Sequence, residues 1–127
     1  MKITEPYQKI QIFEDKGEMH IAFGGMWNPE ITREKMQEMS LAAIPLIKDG
    51  KPLYALTDFT DALPQDQESA SIIAQQMQNA KHFNLKRVAV LNASALMKLQ
   101  YQRVTKDIDV QYFTSKSEAL HWLRAGR

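Results

Sequence analysis

The spacing of apolar residues changes several times along the chain, and each change marks an element. In residues 7–13 and again in residues 19–23, apolar side chains alternate with polar ones, which is the period of a strand with one buried face. The polar segment 15–18 separates the two stretches, and Gly24 with Gly25 follows the second. We therefore predict an antiparallel hairpin that ends at these glycines.

Two continuous apolar runs, residues 53–56 and 88–91, are typical of strands buried on both faces. Apolar residues recur at helical spacing after four capping signals, which are Asn28-Pro29, Asp66, Ser94 and the S-x-x-E box at Ser115. Residues 110–113 alternate again and predict a short strand. Pro45 should kink the first helix or end it one turn early. The predicted fold is α/β, in the order ββαβαβαβα, with a mixed, mostly parallel sheet. We expect one domain over residues 1–127.

Composition fits an ordinary globular protein, with 44% apolar and 24% charged residues in 127 positions. There is no cysteine, which excludes disulfides and thiolate metal sites. The N-terminal residues lack the apolar core of a signal peptide, and no run approaches the length of a membrane span. We expect a cytoplasmic protein without a membrane span.

The net charge of +1 combines a balance of −5 over residues 1–80 with one of +6 over residues 81–127. In a fold that interleaves its two halves, we expect these charges to mix on the surface. No aromatic residues interleave the basic residues of the second half at the spacing of stacking platforms, and the overall charge is near zero, so nucleic-acid binding is not predicted.

The residues after the central strand attract attention, because ligands and partners of α/β sheets meet the carboxyl ends of the strands. This segment is rich in carboxylates and hydroxyls: Asp58, Thr60, Asp61, Asp66, Glu68 and Ser69. Three of the carboxylates, Asp58, Asp61 and Asp66, could hold Mg²⁺ in a metal-assisted enzyme. The simpler interpretation is that they stabilise a turn and the start of a helix. No phosphate-binding glycine loop is present, which disfavours a nucleotide enzyme. No catalytic motif stands out either, so no cofactor and no enzymatic activity are predicted.

Trp27 follows Met26 and the two glycines, and it allows two interpretations. It can fold down as a lid over the core. Alternatively, it presents apolar area to a partner chain or a small ligand.

The order of elements, the acidic turn, the segment LKRVAVL and above all the ending DVQYFTSKSEALHWLRA resemble the SpoIIAA-like family, whose domain is similar to the STAS and SEC14 folds. The resemblance runs from about residue 10 to residue 123. It implies a small, often dimeric, non-enzymatic domain that binds a protein partner under control of a phosphorylated serine. That serine follows an aspartate at a helix start. Here Asp66 is followed by Gln67 and Glu68, so the D-S-S/T-G pattern is absent and Ser69 is the nearest hydroxyl.

We therefore predict a regulatory domain that contacts a protein partner through the loop of residues 58–69 and forms a homodimer. The alternative is a domain that binds a small apolar ligand or a lipid, since the SEC14 resemblance implies an apolar cavity that Met26 and Trp27 could gate. The metal-assisted enzyme is a third alternative.

Overall fold

The computed structural model describes residues 5–127. Strands and helices alternate after an N-terminal hairpin whose turn is a short 3-10 helix. The elements are β1 (Tyr7–Phe13), β2 (Glu18–Gly25), α1 (Pro29–Ala42), α2 (Ile44–Ile47), β3 (Leu53–Ala62), α3 (Gln67–His82), β4 (Leu85–Leu91), α4 (Ala95–Val104), β5 (Asp109–Phe113) and α5 (Lys116–Leu123).

The five strands form one sheet in the order β1-β2-β3-β4-β5. β1 pairs antiparallel with β2, and every other pair is parallel, which confirms the predicted mixed sheet and the hairpin at its edge. Crossovers between neighbouring parallel strands are right-handed, so their helices lie on one face of the sheet. Accordingly α1 packs on α3 and α3 on α4, whereas α5 contacts β3, β4 and β5 from the other side.

The two faces bury different sets of side chains. The face under α5, which we call the closed face, is built from Leu56, Ala89, Leu91, Ala119 and Leu123. The opposite face, under α1, α3 and α4, we call the cavity face. Its buried residues from the sheet are Met19, Ile21, Leu53, Ala55, Phe59, Val88 and Val90. Each strand supplies both faces because successive side chains point in opposite directions.

Side-chain caps start the helices where the sequence places them. Asn28 accepts a hydrogen bond from the Ile31 amide at 2.8 Å, and Ser94 and Ser115 cap α4 and α5. α1 ends at Ala42, and Pro45 lies in the first turn of α2. The predicted early end of this helix is therefore confirmed, because proline lacks the amide that would continue the α1 hydrogen bonds.

Two predicted boundaries were wrong. β2 continues through Gly24 and Gly25, and β3 continues to Ala62, so residues 57–62 belong to a strand and not to a turn. Gly24 pairs with Asp61 across the parallel ladder. A Cβ at Gly24 would lie 2.6 Å from the Tyr7 ring and 2.7 Å from the Asp61 Cβ. The glycine therefore permits a close approach of three strands and does not break one.

Candidate functional site

An apolar cavity of about 430 Å³ lies between the cavity face of the sheet and the helices α1 and α3. The sheet supplies its floor and the two helices supply its sides. Its floor includes Met19, Ile21, Phe23, Leu53, Ala55, Thr57 and Val88, and its sides include Met36, Met39, Ala43, Ile73, Met77 and Ala80. The volume falls within the range of small-molecule sites, which is about 300 to 1,000 Å³.

The hollow follows from the sizes of the side chains that face it. Ala43 on the α1–α2 side, Ala80 on α3 and Ala55 on β3 all line the cavity. Protein interiors normally reach the packing density of organic crystals, so three alanines that line one cavity from separate elements leave volume that larger residues would fill. The methionines around them have flexible thioether side chains that adapt to an occupant.

Trp27 closes one part of the wall. It is 3% exposed, and its Nε1 donates a hydrogen bond to the Gly24 carbonyl at 3.0 Å. Its ring lies 5.3 Å from that of Phe23, which in turn packs edge-on against Phe59. Trp27 thus folds over the core and lines the cavity, whereas Met26 is 63% exposed and points away from the lining.

The interior of the cavity is uncharged. No Asp, Glu, Lys or Arg is among the residues that line it. Tyr101 and Thr57 are its deep polar residues, and burial raises the pKa of Tyr101, so the phenol stays neutral. An ionised ligand group would therefore be buried without a countercharge, which is costly.

The cavity reaches the surface between α1 and α3. Gln76 spans this gap, and its Nε2 donates to the Ser40 hydroxyl at 2.6 Å and to the Met36 carbonyl at 3.4 Å. Beyond this bridge the lining residues Asn79, His82 and Phe83 are exposed. These side chains mark the opening of the cavity, at the end of the sheet where the parallel strands begin.

The polar residues predicted at the carboxyl end of β3 bind their own neighbours. Asp58 accepts hydrogen bonds from the amide and the hydroxyl of Thr60, and that hydroxyl also accepts one from Asn92 at 3.0 Å. Asp61 accepts from the Tyr7 hydroxyl at 2.9 Å. Burial and this hydrogen bond raise the pKa of Tyr7.

Asp66, Glu68 and Ser69 belong to the start of α3. Asp66 is the N-cap, as the simpler interpretation of the sequence proposed, and accepts from the Ser69 amide at 2.7 Å and from its hydroxyl at 3.1 Å. Ser69 is fully buried, so its hydroxyl is part of the cap. Glu68 pairs with Arg33 at the surface.

Across residues 5–127, no group of three His, Asp or Glu side chains is arranged to hold a metal ion, so Asp58, Asp61 and Asp66 do not form the metal site of the third alternative.

Sequence reasoning missed a buried charge cluster on the other side of the sheet. Glu18 was placed in the hairpin turn, but it starts β2 and is 0% exposed. Arg124 donates to both of its carboxylate oxygens at 2.8 Å, Arg127 donates at 2.6 Å, and His20 Nε2 lies 3.0 Å away. Burial opposes ionisation, yet these hydrogen bonds hold the pKa of Glu18 at about 2, below the ordinary 4.5.

Comparison with known proteins gives a consistent result. The profile of the SpoIIAA-like family matches residues 22–124. A crystal structure of an uncharacterised DUF3478-family protein with a SpoIIAA-like fold, from Shewanella loihica PV-4, is similar to this chain at 25% identity with a TM-score of 0.64. The match covers 97% of this chain and 98% of that one. No curated protein matches. Within residues 5–127, no helix has both the length and the apolar composition needed to cross a bilayer. By its match to the family profile and by its fold, the chain belongs to the SpoIIAA-like family.

Proposed function

We propose that this protein is a non-enzymatic binding domain that holds a small, uncharged, apolar molecule in the cavity between the sheet and helices α1 and α3. The cavity of about 430 Å³ carries this proposal. It is the alternative function inferred from the sequence, with the cavity as its physical basis.

Three features of the cavity support an apolar occupant. Its walls are mostly methionine, alanine and branched aliphatic side chains, so an alkyl chain there would lose its contact with water. No Asp, Glu, Lys or Arg lines it, and the imidazole of His82 lies at the opening. The Gln76 bridge closes the gap between the helices with hydrogen bonds that can break and re-form.

Calorimetric titration with decanol and with decanoate tests the proposal. We expect one decanol to bind per chain and decanoate to bind at least about tenfold more weakly, because its carboxylate would be buried without a partner. Ala80→Phe places a ring in the cavity and should weaken decanol binding by about tenfold or more. The matched control is Ala95→Phe, at an exposed position on α4 outside the lining.

Equal loss of binding in both variants would contradict the cavity as the site, and absence of decanol binding to the unaltered chain would overturn the function. Because Ala80→Phe could disturb folding, its unfolding temperature is measured alongside. Met77→Ala, which enlarges the cavity, provides a second variant whose decanol affinity should also change.

A second candidate function is protein contact near the loop predicted from the sequence, in the form of a homodimer. The observation that favours it is an exposed apolar surface of Leu63, Leu96 and Leu99, which joins that loop to α4. Gln100 and Gln65 exchange hydrogen bonds of 2.6 and 2.8 Å that hold the two segments together.

Charges flank these leucines with opposite sign on the two segments. Asp61 lies near the end of β3 and Asp66 and Glu68 come after it, whereas Lys98 and Arg103 lie on α4. All five are exposed. A two-fold contact places the same patch of each subunit against the other, so each acidic segment could face the partner's basic helix. This charge pattern supports a second copy of the chain as the partner.

Sedimentation over a range of concentrations tests the homodimer. We expect a dimer that Leu99→Glu converts to a monomer. Leu41→Glu, at an exposed leucine on α1, is the matched control and should remain dimeric. A monomer at every concentration would overturn this second function without affecting the first.

A further inference from the structure

The inner end of the cavity carries two hydroxyl groups, those of Thr57 on β3 and Tyr101 on α4. Leu53 starts β3 and also lines the cavity, and the strand from Leu53 to Thr57 spans about 13 Å. This depth is close to the length of an extended octyl or decyl chain. A chain molecule that fills the cavity therefore brings one of its ends to the two hydroxyls.

The two hydroxyls face each other. Burial raises the pKa of the Tyr101 phenol, and a hydrogen bond from the Thr57 hydroxyl lowers it by less. A hydroxyl that lowers the pKa of a phenol donates its proton to the phenol oxygen. The phenol keeps its own proton, which is then available for a third oxygen. The Tyr101 ring is packed edge-on against Phe59, with 4.9 Å between the ring centroids, so the position of this donor is fixed.

The donors of the other polar side chains in the lining are paired or exposed. Gln76 donates to the Ser40 hydroxyl at 2.6 Å, and Gln8 donates to a backbone carbonyl of α1 at 2.9 Å. Asn79 and His82 are exposed at the opening, where water can bind them. A buried donor without an acceptor costs free energy. The phenol at the inner end is therefore the donor that gains most from an oxygen of the ligand.

We propose that Tyr101 selects a chain molecule with a neutral acceptor oxygen at one end, a long-chain alcohol or ketone, and that this end enters the cavity first. The inference rests on the proposed function, since it names the chemical class and the orientation of the occupant. The alkyl chain then lies along Ala55 and Ala80. Its far end reaches Phe83, which lines the cavity and is 49% exposed.

Calorimetric titration with octanol, methyl hexyl ketone and chlorooctane separates the oxygen from the chain. The three probes have similar shapes, but chlorooctane has no oxygen. We expect Tyr101→Phe to weaken the binding of octanol and of the ketone by about three- to tenfold, the range of one net hydrogen bond, and to leave chlorooctane binding unchanged. Thr57→Val should weaken the same two probes by a smaller factor, because Thr57 acts by positioning the phenol.

The matched control is Tyr54→Phe, which removes the same group from a tyrosine that packs on the closed face and does not line the cavity. It should bind all three probes like the unaltered chain. Gln8 offers a competing explanation, because its Oε1 is buried and accepts no hydrogen bond within residues 5–127. This oxygen can bind an alcohol but not a ketone. A Tyr101→Phe variant that loses octanol affinity and keeps its ketone affinity would therefore overturn the proposal.

Trp27 reports which end of the ligand lies inside. It lines the cavity and packs on Phe23 near the carboxyl end of β2, whereas Trp122 lies on the closed face and gives a constant background. Bromine quenches tryptophan fluorescence at short range. At saturation, octanol brominated beside the hydroxyl should quench Trp27 more strongly than octanol brominated at the far end of the chain. The reverse order would place the oxygen at the opening and would contradict the proposed orientation.

The inference and the proposed function fail in distinguishable ways. If all three probes bind and Tyr101→Phe changes none of them, the binding function stands and Tyr101 does not select the oxygen. If Tyr101→Phe weakens all three probes equally, the variant has changed the shape of the cavity, and the selection is overturned as well. If no probe binds the unaltered chain, the proposed function fails and the inference fails with it.

Discussion

The two faces of the sheet place neighbouring residues of the same strand in very different environments. Glu18 and Met19 are consecutive in β2, yet Glu18 points to the side of α5 and Met19 lines the cavity. On the closed face a full negative charge is buried and bound by two arginines. On the cavity face apolar side chains leave a hollow. The comparison teaches that this fold is held firmly on one side and left adaptable on the other.

The two faces differ because the helices that cover them pack against the sheet and each other in different ways. α5 is short, but Ala119 and Leu123 are fully buried against Leu56 and Leu91, and its C-terminal arginine reaches Glu18. α1 and α3 are longer, and part of their contact runs through the Gln76 hydrogen bonds rather than through apolar packing. Local opening is easiest where few apolar contacts must break, so we expect motion between α1 and α3.

Truncations on the two faces give the largest expected effect. Leu123→Ala should lower the free energy of unfolding by roughly 3 to 4 kcal/mol, because it empties a fully packed site. Met77→Ala removes a side chain that already borders a hollow, and we expect a loss of about 1 kcal/mol. Urea unfolding of both variants measures this. Similar losses would break the comparison, since the two faces would then be equally packed.

Acidification should lower the stability of the folded protein through the buried charge cluster of the closed face. The pKa of Glu18 in the folded protein, about 2, lies below its ordinary value of 4.5, so the unfolded chain binds more protons between these pH values. Stability is therefore present above pH 4.5 and should fall by about 3 kcal/mol as the pH drops toward 2. Burial also lowers the pKa of His20 below 6.5, so its smaller contribution to the loss begins at higher pH.

Glu18→Gln identifies the source of this acid sensitivity. The variant should lose about 3 kcal/mol at neutral pH, because the arginines keep their charge without the carboxylate. It should also show a flatter dependence of stability on pH below 4.5, measured by urea unfolding at several pH values. Glu38→Gln, at a surface pair with Lys35, is the control and should keep the full dependence. An unchanged pH profile in Glu18→Gln would exclude Glu18 as the cause.

Ligand binding should stabilise the cavity face selectively. Decanol at about ten times its Kd raises the free energy of unfolding by about 1.4 kcal/mol if it binds only the folded chain. Hydrogen exchange should slow by about tenfold at amides of α1 and α3 that open locally, and should change less in α5. Mass spectrometry of exchanged peptides distinguishes the helices. Equal protection of α5 would place the ligand effect outside the cavity.

Much of the fold could be predicted from the sequence because the relevant signals are local. Period-two alternation, continuous apolar runs and the caps at Asn28, Asp66, Ser94 and Ser115 depend on neighbouring residues only. The ends of β2 and β3 were wrong because their extension depends on pairing between Gly24 and Asp61, which lie far apart in the chain.

The site could be predicted only in part, for the same reason. Trp27 was expected to fold over the core, but the cavity beside it depends on Ala43, Ala55 and Ala80, which come together from separate elements. The available signal was that methionines and alanines recur on the inner faces of α1 and α3. Glu18 was missed because its partners, Arg124 and Arg127, lie over 100 positions away. The opposite charge balance of the two halves was the one sign of such pairing.

The smallest expected effect concerns the carboxyl end of β3, where the sequence suggested the working surface. Asp66→Ala should cost about 1 kcal/mol of stability, because the amide and the hydroxyl of Ser69 lose their acceptor. Asp66→Asn keeps a capping oxygen and should cost only a few tenths of that amount. Thermal unfolding measures both. Decanol binding should stay unchanged, since Asp66 starts α3 and the opening lies at its other end. Weaker binding in both variants would instead mean that the start of α3 belongs to the ligand site, and the contrast between a firm face and an adaptable one would have to include it.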